Sequence, residues 1–237
     1  MPIIYSFVKL YDDITHAEDL LHGKLFMNTI RSFKDYVDES GELRGDQYEG
    51  IASLYQPSEL GEISIGGHTV SPSDLASPIV IHSNDLLNHI VFCIYSLNSS
   101  GHDSITADTL SDFKQTLKLH NSCYSLGTYC VAILNVSEFI KRCQVALDKL
   151  NVDYTLSLVE YYDEKSFHGN FMKEKLGFHK RSIFAHQREW RIKINVNTAF
   201  PQPYILEVGD LSDIAKLMKS SDFNEQLEIK LPGDNHV

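Results

Sequence analysis

Two stretches of the chain concentrate residues whose types could do chemistry. Residues 173 to 193 hold seven of the 21 Lys and Arg and only two acids, a formal charge of +5. The remainder has 14 bases and 30 acids, −16, so the net −11 conceals a segregated cationic segment. Inside it lies Gln187-Arg188-Glu189-Trp190-Arg191. A carboxylate among so many cations stays ionised, because opposite charges favour the charged form. Lys180, Arg181, Arg188 and Arg191 would meet phosphates, and Glu189 would grip or activate a hydroxyl. The interleaved rings Phe178, Phe184 and Trp190 could stack on exposed bases of a nucleic acid. The plainer alternative is a surface ion-pair network on an edge strand.

The second stretch, residues 25 to 50, combines a polar strand end (Asn28, Thr29) with a cation (Arg31) and two rings (Phe33, Tyr36). Such a mixture can stack a planar heterocycle and hold its amide. It also suits an amphipathic turn of helix whose rings belong to the core. Asp46 and Glu49, further on, fit either loop ligands or turn-forming residues. Phosphate-loop, dinucleotide-fold and nucleophile-elbow glycine motifs are absent. The eleven histidines show no metal-ligand spacing, so no metal is expected.

The elements that must position these residues follow from periodicity and punctuation. A strand is predicted from Ile3 to Leu10, then a helix capped by Asp13 or Thr15 and stopped by Gly23. A strand Lys24 to Asn28 precedes a short helix from Ile30 to Tyr36, capped by Thr29. Residues 38 to 46 read as a loop. Short strands are predicted at Ile51–Tyr55, Glu62–Ile65 and His68–Val70, with Gly66-Gly67 as a hairpin turn. Apolar strands follow at His89–Leu97 and Thr128–Leu134. Helices are expected at Thr109–His120, from the Ser137 cap to Leu150, and over Lys165–Leu176. Strands are expected at Tyr154–Tyr161 and Glu189–Val196, the latter with Trp190, Ile192, Ile194 and Val196 on one face. The tail predicts a strand Tyr204–Val208, a helix Leu211–Lys219 and a strand Gln226–Lys230. The class is α+β, read as a single domain over residues 1–237.

Composition bounds the rest. Apolar residues make up 43 % and aromatics 11 %, enough to bury a core. No apolar run approaches the ~18 residues needed to span a bilayer. The opening Met1-Pro2-Ile3-Ile4-Tyr5 lacks a basic region and a cleavage site. Cys93, Cys123, Cys130 and Cys143 form no Cys-x-x-Cys pair and read as buried free thiols. A cytoplasmic location without membrane contact is the expectation.

Several features together resemble the ADP-ribosyltransferase fold, in the group holding DarT-like and CmdT-like phage-defence toxins. They are the opening strand with Tyr5-Ser6-Phe7, the helix ending at Leu20-Leu21-His22-Gly23, the strand Leu25-Phe26-Met27-Asn28-Thr29, and the late Gln-x-Glu-Trp-Arg strand. The first strand carries no Arg or His where classical members do, since Tyr5-Ser6-Phe7 stands there. The resemblance implies a split β-sheet core with flanking helices and NAD as co-substrate. Glu189 becomes the catalytic glutamate, and Gln187 takes the place that selects the acceptor. Tyr5 and Phe7 fall near the first-strand site. Asn28, Arg31 and Phe33 fall on the nicotinamide- and phosphate-facing turn, and Phe33 or Tyr36 would stack on nicotinamide. The implied function is a toxin of bacterial phage defence that ADP-ribosylates single-stranded nucleic acid, RNA favoured over DNA, with an antitoxin or chaperone partner. The alternatives are a protein acceptor, a non-catalytic binding or regulatory protein on the same fold, and a nuclease acting without NAD.

Overall fold

The computed structural model describes residues 2–37, 45–99, 101–102, 104–106, 108–195 and 201–228. It is a mixed α+β structure with mostly antiparallel strand pairs. The chain divides into two compact units, each assembled from separate stretches of sequence. The first takes residues 1–25, 94–150 and 205–237, and the second takes 26–93 and 151–204.

In the first unit the strand Ile4–Tyr11 pairs antiparallel with residues 95–98 on one side and with Tyr129–Ile133 on the other. Ala215–Lys219 then pairs antiparallel with Tyr129–Ile133. Asp13 caps the first helix, Ile14–Leu21, by accepting from the Thr15 N–H. Gly23 follows with φ +83°, the left-handed conformation that ends helices. The helix Val136–Leu150 buries Phe139, Cys143 and Leu147, one stripe at four-residue spacing. Phe139 meets Phe7 edge to face at 5.7 Å between ring centroids. Val8, Leu97, Phe113, Cys130 and Phe223 form the neighbouring cluster.

In the second unit Asn28 and Thr29 pair with Val91 and Ile90. Thr29 caps the helix Ile30–Asp35 by accepting from the Ser32 N–H. Ile30, Leu86, Leu87 and Val91 pack into one cluster. The strand Ile51–Tyr55 sits between Ile79–His82 and the two-residue strand Gly169–Asn170. Ile51, Leu54, Tyr162 and Phe171 form a second cluster. The strand Glu189–Ile194 pairs antiparallel with Tyr154–Leu158.

Several expectations are corrected. The expected helix Lys165–Leu176 is not formed. Gly169, at φ +118°, starts a strand there, and the Asn170 side chain accepts from the hydroxyls of Ser53 and Tyr55 at 2.7 and 2.8 Å. The expected helix Leu211–Lys219 is instead a turn and the strand Ala215–Lys219, because pairing with Tyr129–Ile133 outweighs local helix propensity. The helix comes one element later, at Ser220–Gln226, so Gln226 does not open a strand; residues 229 and 230 lie outside the described residues. Tyr154–Tyr161 is broken into Tyr154–Leu158 and Glu160–Tyr162. The helix Val136–Leu150 is capped by Asn135, which accepts from the Glu138 N–H at 3.1 Å, and not by Ser137. The strand Ile79–His82 has no counterpart in the sequence expectations. Most of the expected loop 38–46, and Val196, lie outside the described residues.

Gly50 is required where it stands. Its φ is +71°, and a Cβ there would lie 2.6 Å from Ile30 Cγ2 and 2.9 Å from Leu87 Cδ2. Gly50→Ala is expected to lower unfolding free energy by about 2 kcal/mol through strain and overpacking. Urea denaturation checks this, and an unchanged midpoint would contradict the packing described.

Candidate functional site

All six residues of the strand Glu189–Ile194 are buried. Alternation sends Trp190, Ile192 and Ile194 to one face and Glu189, Arg191 and Lys193 to the other. The apolar face was expected. The polar face is buried as well, so its charges must find partners inside the second unit. The residues just before the strand begin that task. A 3-10 turn, Ser182–Gln187, ends at Arg188 with φ +42°, a left-handed conformation unusual for a residue with a Cβ. This reversal brings Gln187 and Glu189 to one cation. Lys180 Nζ donates to Glu189 Oε1 at 2.5 Å and to Gln187 Oε1 at 2.7 Å. Lys180 comes from the short strand His179–Arg181, parallel to Glu160–Tyr162, with Tyr161 opposite Lys180 and Tyr162 opposite Arg181. The Tyr161 hydroxyl accepts from the Glu189 N–H at 2.9 Å.

Arg191 joins a second carboxylate to the first. Its Nε donates to Glu189 Oε2 at 2.9 Å, and its Nη groups donate to the two Glu49 oxygens at 2.5 and 3.0 Å. Nη1 also donates to the Gly177 carbonyl at 2.9 Å. Glu49 reaches this position from a tight turn. Asp46 Oδ1 accepts from the Tyr48 N–H, and the Asp46 carbonyl accepts from the Glu49 N–H. Arg181 Nε donates to Asp46 Oδ1 at 2.8 Å. Its guanidinium lies 4.8 Å from the centre of the Tyr48 ring and 5.4 Å from that of Phe184, while Lys180 Nζ is 4.7 Å from the same Phe184 centre. Asp46 and Glu49 are therefore turn-forming residues and ion partners at once.

The electrostatics follow from this packing. Burial opposes ionisation of Glu189, but Arg191 and Lys180 overcome it and hold its carboxyl well below the usual carboxylate range. Burial likewise opposes charge on Arg191, and Glu189 with Glu49 raises its pKa well above the ordinary value. Burial, then the Glu189 charge, pushes the Tyr161 hydroxyl up. Lys193 differs. Its Nζ donates to the Leu176 carbonyl at 2.8 Å and sits 5.4 Å from the Phe178 ring centre, and burial lowers its pKa.

The residues proposed from sequence fall into three groups. Glu189, Gln187, Lys180 and Arg191 meet in one network. Lys180 and Arg191 are 5 % and 1 % exposed, and Arg181 is half-buried on Asp46. They do not form the open phosphate-binding patch expected of the +5 segment, because acids from the 46–49 turn and Glu189 neutralise them internally. Arg188 is half-buried at the left-handed bend. Asn28, Arg31, Phe33 and Tyr36 also belong to the second unit. Asn28 Oδ1 accepts from the Thr29 N–H, Phe33 packs on the Ile30 cluster, and Arg31 and Tyr36 are exposed. Tyr5 and Phe7 belong to the first unit. Tyr5 lies edge to face on Phe113, and Phe7, fully buried on Phe139, is a core ring with no face for a ligand. Sequence reasoning gave Tyr161 no site role. Lys193 was legible as the third polar position of the alternating strand.

Among the described residues, no group of three or more His, Cys, Asp or Glu is placed to hold a metal ion, and no helix is long and apolar enough to cross a membrane. No protein-family model, no curated protein and no solved structure matches the chain.

Two outcomes are expected. Glu49→Gln leaves Arg191 with one charged partner in a dry setting and should cost about 3–5 kcal/mol, whereas Glu49→Leu with Arg191→Met should recover part of that loss. Chemical denaturation reads both, and a single-variant loss below about 0.5 kcal/mol, the scale of an exposed pair, contradicts a buried network. The second outcome concerns acid. Because the folded carboxyl of Glu189 lies below its ordinary 4.5, its stabilisation is complete above that pH and is lost as pH falls toward the folded value. Glu189→Gln should therefore be less stable than wild type at pH 7 and show a shallower decline below pH 4.5.

Proposed function

We propose that the protein is an NAD-dependent ADP-ribosyltransferase in which Glu189 is the catalytic carboxylate. The observation that supports this is a buried Glu189 kept ionised by Lys180 and Arg191, with Gln187 two residues before it on the same cation. Departure of nicotinamide leaves positive charge on the ribose C1′ and its ring oxygen. A fixed anion in a low-dielectric setting stabilises that charge without reorganising. The Glu189 side chain keeps 9 % of its surface, and Oε1, which accepts from Lys180, retains a lone pair to which a ribose hydroxyl would donate. The C1′–nitrogen bond to nicotinamide breaks with its electron pair leaving on nicotinamide. The acceptor's lone pair forms the new bond to C1′, and the acceptor's proton is released to solvent, while Glu189 stays ionised and stabilises the charge on the ribose.

The acceptor is not assigned. The nucleic-acid expectation leaned on an open basic patch, and Lys180, Arg181 and Arg191 are instead turned inward onto carboxylates. The same inward pairing favours a second reading, a non-catalytic protein in which the network only fixes the fold.

Incubation with labelled NAD and RNA, DNA or cell lysate separates these readings. Wild type should transfer label to one acceptor class, and Glu189→Gln should lose at least about 100-fold of the rate. Glu189→Gln combined with Lys180→Met, which leaves one cation fewer unpaired, supplies a folded comparison confirmed by circular dichroism. Full activity in a Glu189 variant sinks the assignment. Absence of label from every acceptor with folded wild type favours the non-catalytic reading.

A further inference from the structure

Two buried polar atoms beside the Glu189 network have no hydrogen-bond partner, Asp46 Oδ2 and the Tyr162 hydroxyl. Asp46 is 1 % exposed and Tyr162 8 %. They are neighbours. Tyr162 stands opposite Arg181 in the parallel strand pair, and Arg181 Nε holds Asp46 Oδ1. Tyr48, from the turn that Asp46 shapes, packs against the cluster holding Tyr162 and carries the Arg181 guanidinium on its ring. Asp46 thus spends one carboxylate oxygen on Arg181 and the Tyr48 N–H, and leaves the other without a protein partner.

A buried carboxylate oxygen and a buried hydroxyl without partners both destabilise the fold, because neither recovers the hydrogen bonds it gave up to water. Asp46 Oδ2 can only accept, whereas the Tyr162 hydroxyl can donate and accept. One group satisfies both at once: a hydroxyl that donates to Asp46 and accepts from Tyr162. Arg181 and Tyr48, the residues that hold Asp46 from its other side, are both half-buried.

We propose that Asp46, Tyr162 and Arg181 form a subsite for a sugar hydroxyl of the nucleotide on which Glu189 acts, which rests on the function proposed above. The Asp46 oxygen and the Tyr162 hydroxyl hold the sugar hydroxyl between them. The Arg181 guanidinium, over the Tyr48 ring, adds positive charge for the adjoining phosphate. Placed one strand position from Lys180, the subsite gives the second unit two carboxylates, each held by a cation of the same strand that also lies near the Phe184 ring.

Tyr162→Phe tests this with little risk to folding, since the hydroxyl it removes holds no partner. Calorimetric titration with ADP-ribose should give a dissociation constant about tenfold weaker for Tyr162→Phe than for wild type, the loss of one hydrogen bond. Thermal unfolding without ligand should be unchanged or slightly raised. The penalty should vanish with the deoxy form of ADP-ribose that lacks the recognised hydroxyl, as a double-mutant cycle requires. Wild type that binds ADP-ribose while Tyr162→Phe binds it equally well overturns the subsite alone. A variant that unfolds several degrees earlier with unchanged affinity shows a structural water in the corner and also overturns it. Wild type that binds neither ADP-ribose nor NAD removes the proposed function, and the subsite with it.

Discussion

Arg191 is the constraint on which the second unit depends. It is 1 % exposed, and it gives its donors to Glu189, to both oxygens of Glu49 and to the Gly177 carbonyl. A guanidinium cannot be discharged by burial at ordinary pH, so the fold must bring acids to it. Meeting that demand joins the Asp46–Gly50 turn, the bend at Gly177 and the Glu189 strand, which lie far apart in sequence. Gly50 and Gly177 serve the same end. Both adopt positive φ, and both lie where a Cβ would press on Ile30, at Gly50 also on Leu87 and at Gly177 also on the Lys193 side chain. The hydrophobic cluster and the charged network therefore restrict each other.

The energetic worth of such a network is not its Coulomb attraction alone. Desolvating several ions consumes most of that gain, and an apolar replacement of the same volume can be as stable. What the network supplies is geometry. Glu189 has two cations aimed at its two oxygens and a backbone N–H tied to Tyr161, so its position and its charge are both fixed. An isolated helix- or strand-surface glutamate would have neither. A carboxylate fixed in this way suits stabilisation of a developing cation, the chemistry proposed for it, and it equally holds a fold together.

Much of the local structure was legible in the sequence. Asp13 and Thr29 have the short polar side chains that cap helices, Gly23 and Gly66-Gly67 permit the positive φ that the turns need, and the alternation from Trp190 to Ile194 marks the strand. The failures have a shared cause. Residues 169–170 and 215–219 become strands because a partner strand, distant in sequence, offers its hydrogen bonds. Local propensity carries no information about that partner. The site was half legible for the same reason. Glu189 and Arg191 stood out by local charge, but a count of charges along the chain cannot show that Glu49 folds back onto Arg191 and Asp46 onto Arg181. Of the seven cations in residues 173 to 193, Lys180, Arg191 and Lys193 are buried, so the +5 of the sequence is not the charge that the surface presents.

The most direct measurement of this account is the titration of the Glu189 side chain itself, followed by carbon-13 NMR of labelled glutamate with Glu189→Gln assigning the resonance. The account predicts a carboxyl signal that keeps its ionised shift from neutral pH down to acid unfolding, because Lys180 and Arg191 hold the charge. A signal that titrates near the ordinary value of 4.5 in the folded protein would contradict it.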